Sequence, residues 1–306
     1  MTALIITGFH RSGTSMLTRL LHGAGLFIGD RLLGGNESNL YGHFEDEDVI
    51  TFHDKVLAAN GFNWMFAGDP WQLAMSAAEE RWIRNFVGKR NTSHKIWGFK
   101  DPRTCLFLPF WGNALDKQAI YVVVFRDFLE TTQSILNRQS RDILMRQGNW
   151  RLHLKFWQNP HLALRMWIAY NKALLNFIEE CSEVVVCVRH RQLLDGFSIF
   201  EALRRAGLEL DRPPASGCVD KQVVTTDVGF LPGLDDATLD EAGALWTRIE
   251  QLTGGRDFDI DARVAEVKSR RWTRPDNRAS ASLDRDVEAQ MLTYESLFNA
   301  VAARPV

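Results

Sequence analysis

The sequence predicts an α/β protein in three layers: a central, mostly parallel β-sheet with helices on both faces. Three observations predict it. Short apolar runs alternate along the chain with segments of helical periodicity, the pattern of strands joined by crossover helices. A glycine-framed loop, Gly8 to Ser15, follows the first apolar run and opens the first helical pattern. The composition, 45% hydrophobic and 24% charged over 306 residues, is that of a globular chain long enough to bury a large core.

The elements follow in order. Residues 3–8 read as a buried strand. Residues 14–25 read as a helix carrying Met16, Leu17, Leu20 and Leu21 on one face, ended by Gly23 and Gly25. A glycine-rich polar stretch, Gly34 to Gly42, leads to the acidic run Glu45-Asp46-Glu47-Asp48. A helical pattern follows through Val49, Phe52, Val56 and Leu57, with the acids suited to its N-terminal dipole. Residues 76–90 predict another helix. Lys95 to Phe99 predicts a strand, halted by Asp101-Pro102. Ala119 to Phe125 is the clearest strand, followed by a helix over about 128–138 and, after residues 139–160, a helix over 161–180. Val184 to Val188 is a fourth apolar strand, and residues 197–206 are helical. Pro213-Pro214 and the Gly/Asp-rich stretch 229–237 read as loops. A polar linker, Arg274 to Ser282, precedes a tail helix near 283–302. With no repeat or internal boundary, residues 1–306 read as a single domain, with loops and C-terminal helices appended from about 206 onward.

The net charge of −2 suggests no nucleic-acid partner, so any attraction for anions must be local. Cys105, Cys181, Cys187 and Cys218 form neither a disulfide framework nor a zinc pattern and read as reduced, mostly buried thiols. No apolar run approaches the roughly 20 residues that span a bilayer, and no leader precedes the first strand. The expectation is a cytoplasmic protein.

The segment Gly8 to Ser15, GFHRSGTS, has the frame of the phosphate-binding P-loop, G-x-x-x-x-G-K-[ST]. Its glycines let backbone N–H groups close around phosphate oxygens, and the helix N-terminus adds positive potential. His10, Arg11, Ser12, Gly13, Thr14 and Ser15 are therefore candidate ligand contacts, although His10 also suits a structural role. Thr14 replaces the lysine that reaches the β- and γ-phosphates of a triphosphate. A cation lies inside the loop instead, at Arg11, which suits a single phosphate-like terminal group. The second anchor is Arg126, at the end of the 119–125 strand, with Ser134 eight residues on. A strand-end arginine in a parallel sheet is either structural or points into the ligand crevice. Together the two anchors suit a nucleotide phosphorylated at both its 5′ and 3′ positions.

These residues resemble the sulfotransferases that use 3′-phosphoadenosine 5′-phosphosulfate (PAPS). That family has R-S-G-T-[ST] after its first strand, matched by Arg11 to Ser15, and a strand-end Arg with Ser eight residues on, matched by Arg126 and Ser134. More narrowly, the chain is similar to a bacterial group with three motifs in order, present here as GFHRSGTS at 8–15, NLYGHFED at 39–46 and WGFKDPRT at 97–104. Ala163 to Leu175 also follows that group, and the resemblance spans about residues 3–205. It implies a P-loop-type fold, PAPS as co-substrate with 3′-phosphoadenosine 5′-phosphate (PAP) as product, and a saccharide or small-molecule acceptor hydroxyl. The chain departs from the family in three places. Arg11 stands where animal cytosolic members have lysine, Arg189 to Leu194 replaces a Y-E-D-L-L segment, and residues 139–160 look inserted.

Sulfuryl transfer to a hydroxyl needs a base, in-line positioning and stabilisation of the leaving phosphate. Glu45 is the first candidate for the base, its alternative being a helix-end role beside its acidic neighbours. His43 is the second candidate. Lys100 and Arg103 flank Asp101-Pro102 just past a strand end. They either stabilise sulfuryl oxygens, bind acceptor, or form a salt-bridged turn through Asp101. Arg11 is expected at the 5′-phosphosulfate. No metal is required, because arginine can hold a single leaving phosphate. The basic stretch 137–155 reads either as an acceptor surface for anions or as a solvated helix face. Of the ten tryptophans, Trp97 and Trp167 read as core. Trp64, Trp71 and Trp150 lie in expected loops and are candidates for an acceptor wall. Two rival readings remain: a P-loop kinase-like phosphotransferase, which Thr14 disfavours, and a non-catalytic nucleotide- or glycan-binding protein.

Overall fold

A computed structural model describes residues 1–34, 42–115, 119–159, 161–181, 183–211, 234–255, 257 and 259–269. Four parallel strands, β1 (Thr2–Thr7), β2 (Ile96–Lys100), β3 (Ala119–Phe125) and β4 (Val184–Arg189), form one sheet in the order β2-β1-β3-β4. β1 and β3 lie at its centre and bury both faces, which explains why they read as continuous apolar runs rather than alternating ones. Alternate residues divide between two cores. Ala3, Ile5, Tyr121, Val123 and Phe125 join the larger. It is built with α2 (Glu47–Ala59), α3 (Ala77–Ser93), α4 (Leu108–Leu115), α8 (Leu162–Glu180) and α11 (Asp236–Thr253). Leu4, Ile6, Val122 and Val124 join the smaller, built with α1 (Thr14–Gly23) and α10 (Ile199–Arg205).

The remaining described helices are α5 (Phe128–Leu144), the short α6 (Trp150–His153) and α7 (Lys155–Gln158), α9 (His190–Leu194) and α12 (Ile260–Ser269). The chain leaves β1 toward β2 on one side and resumes with β3 and β4 on the other. The crevice above the carboxyl ends of β1 and β3 is therefore a topological switch point, where open α/β sheets bind ligands. Gly8 to Ser15 leaves β1 there and Arg126 leaves β3 there.

The helical segments differ from expectation in three places. α4 occupies a stretch without a clear pattern; Pro109 falls in its first turn, where no intrahelical N–H bond is lost. α5 runs on to Leu144, so residues 139–160 begin as helix and continue through α6 and α7, and Trp150 starts a helical turn rather than lying in a loop. α11 begins within the stretch read as a loop, because Asp235 caps it by accepting from the Thr238 N–H at 2.8 Å. Trp97 and Trp167 are fully buried core residues. Asn39 to Tyr41, Pro213-Pro214, Cys218, the linker 274–282 and the tail helix 283–302 lie outside the described residues. Among the described residues no helix is long and apolar enough to cross a membrane.

Candidate functional site

The loop after β1 is shaped by backbone that few residues tolerate. Gly8 passes so close to β3 that a Cβ there would lie 2.3 Å from the Val124 carbonyl oxygen. Arg11 and Gly13 are both left-handed, with φ of 68° and 92°, and Gly13 caps α1 without a side chain. Left-handed turns of this kind aim successive N–H groups into one concavity, at the positive end of a helix. Ser12 Oγ is buried there without a hydrogen-bond partner among the described residues.

The second anchor is knitted directly to this loop. Arg11 Nε donates to Ser134 Oγ at 3.0 Å, and Arg126 Nη1 donates to the Arg11 carbonyl at 2.8 Å. Arg126 is braced from behind by Glu130 Oε2, 3.3 Å from its Nε, and Trp167 Nε1 donates to the Arg126 carbonyl. Ser134 reaches the loop because it lies two turns into α5, whose N-cap, Asp127, immediately follows Arg126.

Residues from three distant segments meet beside the loop. Lys100, at the end of β2 and 1% exposed, donates from Nζ to Ser15 Oγ at 3.0 Å and to Glu45 Oε1 at 2.6 Å. Ser15 Oγ in turn donates to the His43 carbonyl at 3.3 Å. His43 and Glu45 are both buried and are separated by Phe44, whose φ of 52° is unusual for an aromatic residue. The helix-end role falls to Asp46, which accepts from the Asp48 N–H, while Glu45 turns inward to Lys100. Arg103 is engaged by Asp101 through its N–H and Nη1, and its Nε lies 2.7 Å from Asp54 Oδ1. The salt-bridged turn expected at Asp101 is thus present, with a second acid from α2 added.

His10 packs edge-on against Phe9, Trp64 and Tyr170, and its Nε2 is buried without a hydrogen-bond partner. Trp64 therefore lies beside the loop, its carbonyl held by the Tyr170 hydroxyl at 2.8 Å. Trp71, 59% exposed in the 3-10 turn Pro70–Gln72, has no such neighbour in the loop. In the basic stretch, Arg141, Arg146, Arg151 and Lys155 are exposed, while Arg138 is turned inward, its Nε 3.8 Å from Asp142 Oδ2.

Sequence reasoning missed His190. It follows β4 and is buried against the loop, so that a Cβ on Gly13 would lie 2.6 Å from its Cδ2. Its position at a strand end, the signal that singled out Arg126, applies equally to it.

The ionisation of these groups maps a strongly positive site. Burial, then Arg138 and Arg126, pushes the Arg11 guanidinium down to about 10. Burial, then Arg138, Lys100 and Arg11, pushes His43 down to about 4. Burial, then Arg126, Arg191 and Arg11, pushes His190 down to about 3. His10 is held well below its usual value by burial and then Arg103. At neutral pH all three imidazoles are uncharged, while the cations around them are ion-paired: Lys100 with Glu45, Arg103 with Asp101 and Asp54, Arg126 and Arg191 with Glu130. Among the described residues, no three or more His, Cys, Asp and Glu side chains are grouped to hold a metal ion.

No protein-family model matches the sequence, and no curated protein matches it. Among solved structures, the chain is similar to the sulfotransferase domain from the curacin biosynthetic pathway, at 14% identity and a TM-score of 0.45. That similarity covers 80% of this chain and 98% of the other.

Proposed function

We propose that this protein is a sulfotransferase that moves the sulfuryl group of PAPS to the hydroxyl of a saccharide or small-molecule acceptor. The observation that carries the reading is Lys100, which hydrogen-bonds both the phosphate loop, at Ser15, and an inward-facing carboxylate, Glu45. A cation shared between a phosphate site and a candidate base is what group transfer away from a phosphate requires. The residues fit the nucleotide. The loop has no Cβ at Gly8 or Gly13, Ser12 Oγ lacks a partner, and Arg11, Arg126 and Lys100 supply the charge.

In this reading Arg11, Ser12, Gly13, Thr14 and Ser15 hold the 5′-phosphosulfate, with His10 as a wall of the loop. Arg126 and Ser134 hold the 3′-phosphate. Bound PAPS supplies the sulfuryl group and departs as PAP. Glu45 takes the proton of the acceptor hydroxyl, with His43 as the alternative base. Lys100 and Arg11 stabilise the negative charge left on the 5′-phosphate. Trp64 faces the acceptor side, and Arg103 serves the sulfuryl oxygens or the acceptor. Thr14, in place of the P-loop lysine, weighs against a triphosphate-dependent kinase.

Calorimetric titration with PAP, AMP and ATP, followed by PAPS turnover against a panel of hydroxyl acceptors, tests the reading. PAP is expected to bind far more tightly than AMP or ATP. Equal affinity for PAP and AMP rejects the assignment of the co-substrate, and tight PAP binding without turnover on any acceptor favours a binding protein.

A further inference from the structure

Behind Arg103 lies a buried hydrogen-bond chain that the reaction as described does not use. His53 on α2, Asp101 after β2 and Trp111 on α4 are all 0% exposed. Trp111 Nε1–H donates to His53 Nε2 at 3.0 Å, and His53 Nδ1–H donates to Asp101 Oδ2 at 2.7 Å. An indole nitrogen can only donate, so Nε2 must accept and the imidazole proton is on Nδ1. The ring is also clamped face-on by Phe107, stacked at 4.7 Å. His53 thereby claims one carboxylate oxygen of Asp101 and leaves the other, Oδ1, to Arg103, which donates to it from its backbone N–H at 3.0 Å and from Nη1 at 2.9 Å. Asp54, the next residue on α2, flanks Arg103 Nε. Nη1 is thus hydrogen-bonded to Asp101 and Nε ion-paired with Asp54, while among the described residues Nη2 makes neither kind of contact and remains for a ligand. The charge of Arg103 lowers His10 and His43, and the Glu45 carboxylate acts in turn on Arg103, so Arg103 lies within electrostatic reach of both the loop and the candidate base.

We propose that His53 is a positioning residue: with Trp111 fixing its tautomer, it orients Asp101 so that Arg103 presents Nη2 to the sulfuryl oxygens of PAPS. The proposal rests on the sulfotransferase reading above. Without the Nδ1–H donor, the Asp101 carboxylate loses its fixed rotation, and Arg103 loses its aim.

The test is titration of PAP and PAPS into wild type, Arg103→Gln, His53→Leu and His53→Asn, alongside 15N spectra of histidine-labelled wild type. Asn can return an amide donor near the Nδ1 position; Leu cannot. His53→Leu is expected to weaken PAPS binding about tenfold, the scale of one lost charge-assisted hydrogen bond, as does Arg103→Gln. PAP, which lacks the sulfuryl group, should bind His53→Leu within about twofold of wild type, because the nucleotide anchors are untouched. His53→Asn should recover most of the PAPS affinity. The wild-type spectrum should show His53 protonated at Nδ1, a readout that does not depend on whether a variant folds. Parallel loss of PAP and PAPS in His53→Leu, no loss of either, no recovery in His53→Asn, or an Nε2–H tautomer each overturns the proposal. If wild type binds neither nucleotide, the sulfotransferase reading itself fails.

Discussion

Lys100 ties together two groups with different parts in the chemistry. Its bond to Glu45 orients the carboxylate, and its bond to Ser15 keeps its Nζ at the loop after β1. In the proposed reaction, proton uptake by Glu45 would release Lys100 toward the leaving phosphate, so charge would move within one short contact. Glu45→Gln keeps an oxygen for Lys100 but removes the base. It is expected to reduce PAPS turnover by about 10²- to 10⁴-fold. PAP affinity, read by calorimetry, should change little. Unaltered turnover in Glu45→Gln would move the base to His43. The histidines give a second, pH-based check. A base whose charged form is disfavoured in the folded state titrates below its usual 6.5, so His43 and His190 should stay neutral from pH 8 down to about 5.5. Their C2–H proton resonances should be flat over that range. Bound PAP brings negative charge, favours the imidazolium and should shift both midpoints upward.

At the scale of elements, the loop after β1 depends on α1 beginning without a side-chain cap. Gly13 provides the left-handed turn and also the space that His190 fills. Gly13→Ala is expected to cost about 1–3 kcal/mol in urea unfolding, through both backbone strain and collision with the imidazole. The double variant Gly13→Ala/His190→Ala should recover the collision part and leave the strain, a coupling readable from a double-mutant cycle. α3 offers an independent control far from the loop. Its capping box joins Ser76 to the Glu79 N–H and Glu79 Oε2 to the Ser76 N–H. Ser76→Ala should cost about 1 kcal/mol of stability and leave PAP affinity unchanged.

Across the whole molecule, a chain of net charge −2 concentrates Arg11, Lys100, Arg103, Arg126 and Arg138 around one crevice. Cations gathered at one crevice, although partly ion-paired, make anion affinity dependent on ionic strength. PAP affinity should fall steadily from low to physiological salt. Arg126→Ala should erase most of the preference for PAP over AMP while retaining binding to the 5′-phosphate. At about 100 times its dissociation constant PAP should stabilise the fold by about 2.7 kcal/mol, seen as a raised melting temperature, and AMP by less at the same concentration.

All four strands were legible because each is a compact apolar run between polar residues, the central two buried on both faces and the edge strand β4 only partly buried. The two segments that meet at the loop were also picked out in sequence, Gly8 to Ser15 as a contiguous motif and Arg126 with Ser134 as a fixed spacing along one strand and one helix. α4 and the start of α11 were not legible, because Pro109 and Asp235 are first-turn and capping residues that read equally well as loop. Arg11, His43, Glu45, Lys100, Arg103, Arg126 and Ser134 were named from sequence, but their partnerships, and partners such as Asp54, Glu130 and His190, were not. Nothing local tells Glu45 from Asp46, since both suit a helix N-terminus. Only packing puts one against Lys100 and the other on the α2 cap. Likewise His53, Asp101 and Trp111 carry no joint pattern, being up to 58 positions apart. The sequence by itself determined a parallel α/β sheet with a glycine-framed loop at its first turn, because these depend on local periodicity and on glycines a fixed distance apart. Tertiary structure alone decided which carboxylate meets the lysine and which histidine stands behind the arginine, because hydrogen bonds between distant segments exist only once the sheet has brought its strand ends together.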